Sequence, residues 1–162
     1  SARFAIAGAE TIAAAALHRA TVQGEPQAVA RVVDLETAVD VLGGKIEFES
    51  GEEGREAEVL THLLRTAVAE TVRERFRGLD FGLLVDALEA GQMVTTGEQV
   101  TALDFLAGLP RLGESELYDD ICERVGATDD GQRAGAIELA LEGLYLARRV
   151  SKESGRGETV YG

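Results

Sequence analysis

The stretch RAGAIELALEGLYLARRVSKES, residues 133–154, limits most strongly what this chain can become. Ile137, Leu139, Leu141, Leu144 and Leu146 do not share one narrow face of a helix. A helix that is apolar on most sides must be covered on most sides, so this one belongs at the centre of its domain. Gly135 and Gly143 each cost on the order of 1 kcal/mol inside a helix relative to Ala. Close approach of a neighbouring helix is the expected compensation. Glu138 and Glu142 lie one turn apart and are spaced for ion pairs with Arg133 or Arg149. Two carboxylates can also do acid–base chemistry. That needs His, Ser or Cys partners, which this helix lacks, and ion pairing is the reading taken.

The rest of the core must be built from small and aliphatic residues. Aromatics make up 5% of the chain, there is no Trp, and hydrophobic residues make up 45%. Prolines fall only at Pro26 and Pro110. This composition suits closely packed helices, and the fold class expected is all-α. A long helix is expected from Glu52 to about Arg77, with Leu60, Leu63, Leu64, Ala67, Val68, Thr71, Val72 and Phe76 recurring at three- and four-residue spacing. Asp80 is placed as the cap of FGLLVDALEAG, and Gly91 as its stop. QMVTTGEQV reads as a turn. Thr101 and Asp104 form an acidic version of the capping box. Ser115 and Gly126 bound a short helix, and Asp129 or Asp130 caps the last one. Upstream, QAVARVV reads as extended, and Asp34 as the N-cap of LETAVDVLGG. Within KIEFESGEEG, Lys45 to Phe48 allow a short edge strand or hairpin between two helical units. The domain boundary is set there, giving units of about 1–48 and 52–154. The tail 155–162, GRGETVYG, is expected to be flexible.

The first twenty-four residues, SARFAIAGAETIAAAALHRATVQG, open on Ser1-Ala2-Arg3 and run straight into an alanine-rich helix. That helix is placed at about Gly8 to Val22, with Ile6, Ala9, Ala13, Ala16 and Leu17 as its apolar positions. The chain reads as starting in mid-domain. Ser-Ala-Arg, an apolar residue, then Ala-Gly-x-Glu-Thr and a helix resembles the sensor-2 helix of AAA+ ATPases. The branch it is most similar to is the magnesium-chelatase ATPase subunit and MoxR-like group. The tail GLYLARRVSKESGRGETVYG looks like the actinobacterial type. The resemblance implies an AAA+ lid over residues 1–48 followed by an appended helical bundle. It also implies that Arg3 stands at the sensor-2 position, where it would reach the γ-phosphate of a nucleotide. ATP and Mg2+ would then be cofactors of the parent protein. Its partners would be neighbouring AAA+ protomers, a von Willebrand A-type subunit, or a remodelled client.

This stretch of chain carries no phosphate cradle of its own. A Walker A loop needs G-x-x-x-x-G-K-[ST]. The single Gly-Lys pair is Gly44-Lys45, with Ile46 where Ser or Thr should follow and Val39 at the first glycine position. The segment alone is therefore expected to be inactive and to hold no cofactor. A net charge of −13 disfavours nucleic acid and anionic membranes as partners. Arg73, Arg75 and Arg77 are a basic exception, read as a solvated helix end. Glu47, Glu49, Glu52 and Glu53 lack calcium-loop spacing. His18 and His62 read as surface residues, and with one Cys they do not suggest zinc. Cys122 forms no internal disulfide and reads as a buried small hydrophobe. No apolar run is long enough to span a bilayer, and a cytoplasmic protein is expected. A second reading, from another class, is a stand-alone acidic helical interaction module or adaptor.

Overall fold

The computed structural model describes residues 2–43, 54–110 and 115–162. Among them are seven helices and three short strands. In chain order these are α1 (Ala2–Gln23), α2 (Val32–Gly43), α3 (Glu56–Arg75), α4 (Gly82–Glu89), β1 (Val94–Gly97), α5 (Ala102–Ala107), α6 (Glu116–Val125), α7 (Asp130–Leu146), β2 (Lys152–Gly155) and β3 (Glu158–Tyr161).

The fold is built around α7. Ala134, Ile137, Glu138, Ala140, Leu141 and Leu144 are all buried on it. They pack with Phe76, Leu84, Phe105, Leu117 and Ile121 in one cluster. Helices α3, α5 and α6 surround it. A second, smaller cluster joins Ala38 and Leu42 of α2 to Leu60 of α3, with Phe4, Ala7 and Ile12 of α1 against it. The three glycines of α7, Gly131, Gly135 and Gly143, are where neighbours come closest to it. A Cβ on Gly143 would stand 2.8 Å from Cγ2 of Val72, and one on Gly135 would stand 3.2 Å from the carbonyl oxygen of Ala30. Only glycine lets α3 and the 29–30 segment lie this near the axis.

Several helix ends follow their local chemistry. Thr101 Oγ1 accepts from the Asp104 amide at 3.0 Å, and Asp129 accepts from the Gln132 amide at 2.9 Å. Gly126 ends α6 in the left-handed region at φ 70°. Asp34 differs from expectation. It lies inside the first turn of α2, and its carboxylate reaches back to the Arg31 amide at 2.8 Å. That is the back half of a capping box, with the helix starting at Val32. Asp80 likewise precedes its helix by two residues and accepts from the Gly82 amide at 2.8 Å.

Two expectations about extended structure are corrected. QMVTTGEQV contains strand β1, and the tail placed as flexible forms the hairpin β2–β3. The sheet order is β1-β3-β2, all antiparallel, with Val94 opposite Tyr161 and Lys152 opposite the same residue. The tail thus supplies the middle strand, and Tyr161 has no solvent exposure. The turn is set by Arg156 at φ 53° and Gly157 at φ 81°. Positive φ at both central residues is what the type I′ turn of a two-residue hairpin requires. The strand allowed at Lys45 to Phe48 and the boundary set near 48–52 lie outside the described residues. Buried contacts nevertheless join the two sides of that boundary, as the next section describes.

Candidate functional site

Arg3 lies in the first turn of α1 and is exposed. The helix it opens runs from Ala2 rather than from Gly8, and its two faces differ. Phe4, Ala7 and Ile12 pack on α2 and α3, while Ala16, Arg19 and Ala20 are buried further along. The stripe read from the sequence is mostly on the other side. Ala9 and Ala13 are exposed, and Ile6 and Leu17 remain 57% and 60% exposed. Of that stripe only Ala16 is buried. Successive 100° steps place Ile6, Ala9, Ala13 and Leu17 within one sector, with Arg3 and Glu10 along its edge. An open apolar stripe bordered by charge is therefore the outward face of α1.

What fixes α1 in place is a buried charge network that sequence spacing did not reveal. Arg19 projects from the inner face of α1. Its Nε and Nη2 each donate to Asp34 at 3.1 Å, its Nη1 donates to Glu25 at 2.7 Å, and Nη2 also donates to the Val29 carbonyl at 2.7 Å. Burial alone would lower the pKa of this guanidinium. Asp34 and Glu25 outweigh that, and it is raised. Glu25 continues the network by accepting from the Ala102 amide at 2.7 Å, which ties the end of α1 to the start of α5.

Arg31 forms the second half. It is 2% exposed and Glu138 is fully buried. The Arg31 Nε and Nη2 donate to Glu138 Oε1 at 3.0 and 2.5 Å. Its Nη1 donates to the Val100 carbonyl at 2.7 Å, and Nη2 also to Thr96 Oγ1 at 2.9 Å. Thr96 Oγ1 in turn donates to Glu138. Glu138 Oε2 accepts from the Val32 amide at 3.3 Å, at the N-terminus of α2, where a carboxylate also favours the helix dipole. One guanidinium therefore joins the 25–31 loop, β1, the β1–α5 connection and α7. Each group in it has partners, which buried charges require.

Glu142 has a different partner set. Its Oε2 accepts from Lys152 Nζ at 2.9 Å and from the Tyr161 hydroxyl at 2.6 Å. Burial and the adjacent Glu142 push the Tyr161 phenol well above the usual range. Lys152 lies over the Tyr145 and Tyr161 rings at 5.5 and 5.7 Å. Ion pairing by Glu138 and Glu142 is thus observed, but the partners are Arg31 and Lys152. Arg133 lies 3.7 Å from Asp130 instead. The reason is orientation. Both carboxylates point into the core, whereas Arg149 lies on the exposed surface beyond the end of α7.

His18 and His62 are exposed, and Cys122 is partly buried. Among the described residues no group of His, Cys, Asp or Glu is placed to hold a metal ion. No helix among them is long and apolar enough to cross a membrane. Gly44-Lys45 lies outside the described residues, and the nucleotide contact that the resemblance implies for Arg3 is left untested by the position of this side chain. Comparison with protein-family models, with curated proteins and with solved structures finds no match.

Proposed function

We propose that this chain is the non-catalytic C-terminal part of a magnesium-chelatase-like AAA+ ATPase, supplying the sensor-2 lid helix and a helical protein-interaction domain. The observation that carries the reading is the two-sided α1. Its inner face is anchored by Arg19, and its outer stripe of Ile6, Ala9, Ala13 and Leu17 stays open beside Arg3. Contiguous exposed apolar surface marks an interaction site. A lid helix has a partner on each side: its own small bundle and the nucleotide-binding core.

In such an assembly ATP and Mg2+ supply the phosphoryl chemistry in the core. The contribution of this chain is positional. Arg3 would hold a fixed positive charge toward the γ-phosphate, where charge develops in the transition state. The Arg19 and Arg31 networks would carry displacement of α1 into α7 and the sheet, giving a rigid path to neighbouring protomers or a von Willebrand A-type partner.

The test begins with the coding sequence directly upstream of Ser1. A Walker A and Walker B core there supports the reading, and a stop codon or an unrelated domain overturns it. In the longer protein Arg3→Ala should lower steady-state ATP turnover with the fold intact, and unchanged turnover would remove the sensor-2 role. The isolated chain should not bind ATP in calorimetry. The acidic-adaptor alternative predicts the same open stripe but no ATPase core upstream.

A further inference from the structure

Helices α2 and α3 leave a cavity of about 300 Å³ between them, closed on a further side by Glu142 of α7 and Lys152 of β2. That volume is at the lower end of the range of small-molecule sites. Val39, Leu64 and Val68 give it aliphatic walls. Glu36 and Asp40 stand one turn apart on the same side of α2.

The Glu142–Lys152 pair has bonding capacity that the protein does not use. The Glu142 side chain is 9% exposed, and the two hydrogen bonds it accepts, from Lys152 and Tyr161, both go to Oε2. Oε1 accepts from no group among the described residues. Nor is it sealed, since among those residues the Tyr118 hydroxyl alone is both inaccessible and unpartnered. Lys152 matches it with opposite sign. Its ammonium carries three N–H groups and gives one hydrogen bond, to Glu142, with Glu36 4.0 Å away. A carboxylate oxygen and ammonium hydrogens are thus offered side by side in an aliphatic slot.

Charge selects the occupant. An anion here meets Glu142, Glu36 and Asp40, and a cation meets Lys152 and Arg65. A molecule that carries both charges a few atoms apart can pair with each, through charge-assisted hydrogen bonds. We propose that this cavity binds a free α-amino acid with an aliphatic side chain. Its α-ammonium donates to Glu142 Oε1 and Glu36, its α-carboxylate accepts from Lys152 Nζ, and its side chain lies against Val39, Leu64 and Val68. This inference does not rest on the ATPase reading and survives its failure.

L-Leucine, 4-methylpentanoate, 3-methylbutylamine and 4-methylpentanamide share an aliphatic body and differ in the head. Titration of the intact chain, followed by methyl NMR, should show saturable shifts for Val39, Leu64 and Val68 with L-leucine. Each of the other three should bind at least about tenfold more weakly, the scale of one charge-assisted hydrogen bond. Glu142→Gln should remove the advantage of L-leucine over 4-methylpentanoate. Should that variant fail to fold, because Glu142 also holds Tyr161, Glu36→Gln takes its place. The Glu36 side chain is 71% exposed, and its replacement should narrow the same advantage several-fold. Absence of saturable shifts with L-leucine, an analogue that binds as tightly, or an advantage unchanged in the folded variant would each overturn the proposal.

Discussion

Replacing Glu138 by Ala tests whether the Arg31 network holds the fold together. The Glu138 carboxylate accepts from Arg31 twice, from Thr96 and from the Val32 amide. Glu138→Ala leaves Arg31 charged and 2% exposed, with the Val100 carbonyl, Thr96 and a 3.9 Å contact to Glu25 as its remaining partners. Breaking one side of a buried pair costs about 3–5 kcal/mol, mostly from the charge left behind. A domain has about 5–15 kcal/mol in all, so this single change removes a large share. Glu138→Gln keeps the shape, but it also removes the countercharge to Arg31 and sets an amide NH2 where the carboxylate accepted from donors, so it should cost at least about 1.5–3 kcal/mol, the scale of a charge-assisted hydrogen bond. The double variant Arg31→Met with Glu138→Leu removes both charges, and it should be more stable than Glu138→Ala despite carrying two substitutions. The chain has no Trp, so urea unfolding followed by circular dichroism is the appropriate assay. A loss below about 1 kcal/mol for Glu138→Ala would be that of an exposed pair. It would refute the claim that this network is dry and structural.

Leu144→Ala should cost about 2–5 kcal/mol, because Leu144 is 5% exposed in the helix around which the core is built; a melting temperature within a degree or so of the parent would contradict this. Gly143→Ala should destabilise by about 1–3 kcal/mol through overpacking on Val72, whereas in an open helix the same change would gain up to about 1 kcal/mol. Pairing it with Val72→Ala should relieve the clash, and simple additivity of the two would count against it. The Tyr161 phenol is raised above its ordinary value of 10.0, so the unfolded chain loses this proton first as pH rises. Stability should therefore be complete below pH 10 and fall above it by about 1.4 kcal/mol per pH unit for this group; Tyr161→Phe should flatten the alkaline decline seen in unfolding titrations.

The central place of α7 was legible because its apolar residues cover most of the helix circumference, and no other location accommodates that. Thr101, Asp129 and Gly126 were legible because capping is decided within a few residues. The sheet was not. β1 and β3 have four residues each, and whether Val94 is in a strand depends on Tyr161, far along the chain. In SGRGETVYG the glycines suggested mobility, although Arg156-Gly157 holds the left-handed pair of a tight hairpin. The apolar positions of α1 were legible, and which of them face the core was not. Ala on nearly every side leaves little contrast for choosing the buried face. The Arg31–Glu138 pair spans 107 residues, and its specificity comes from the fold bringing α7 beside the 25–31 loop, so Arg133 and Arg149 seemed equally good partners for the α7 carboxylates.

The order β1-β3-β2 also bears on the sequence of events during folding. The strand next to β1 follows all the other described elements in chain order, and α5, α6 and α7 all lie within the loop that their pairing closes. The entropy of closing that loop falls due before any ladder hydrogen bond can repay it. The helices can meet through contacts nearer in sequence, and the hairpin turn can form by itself, but β1 has to wait for both. Substitutions at Val94 or Val160 should therefore leave the refolding rate nearly unchanged and speed unfolding. If they slow refolding instead, the sheet is part of the nucleus.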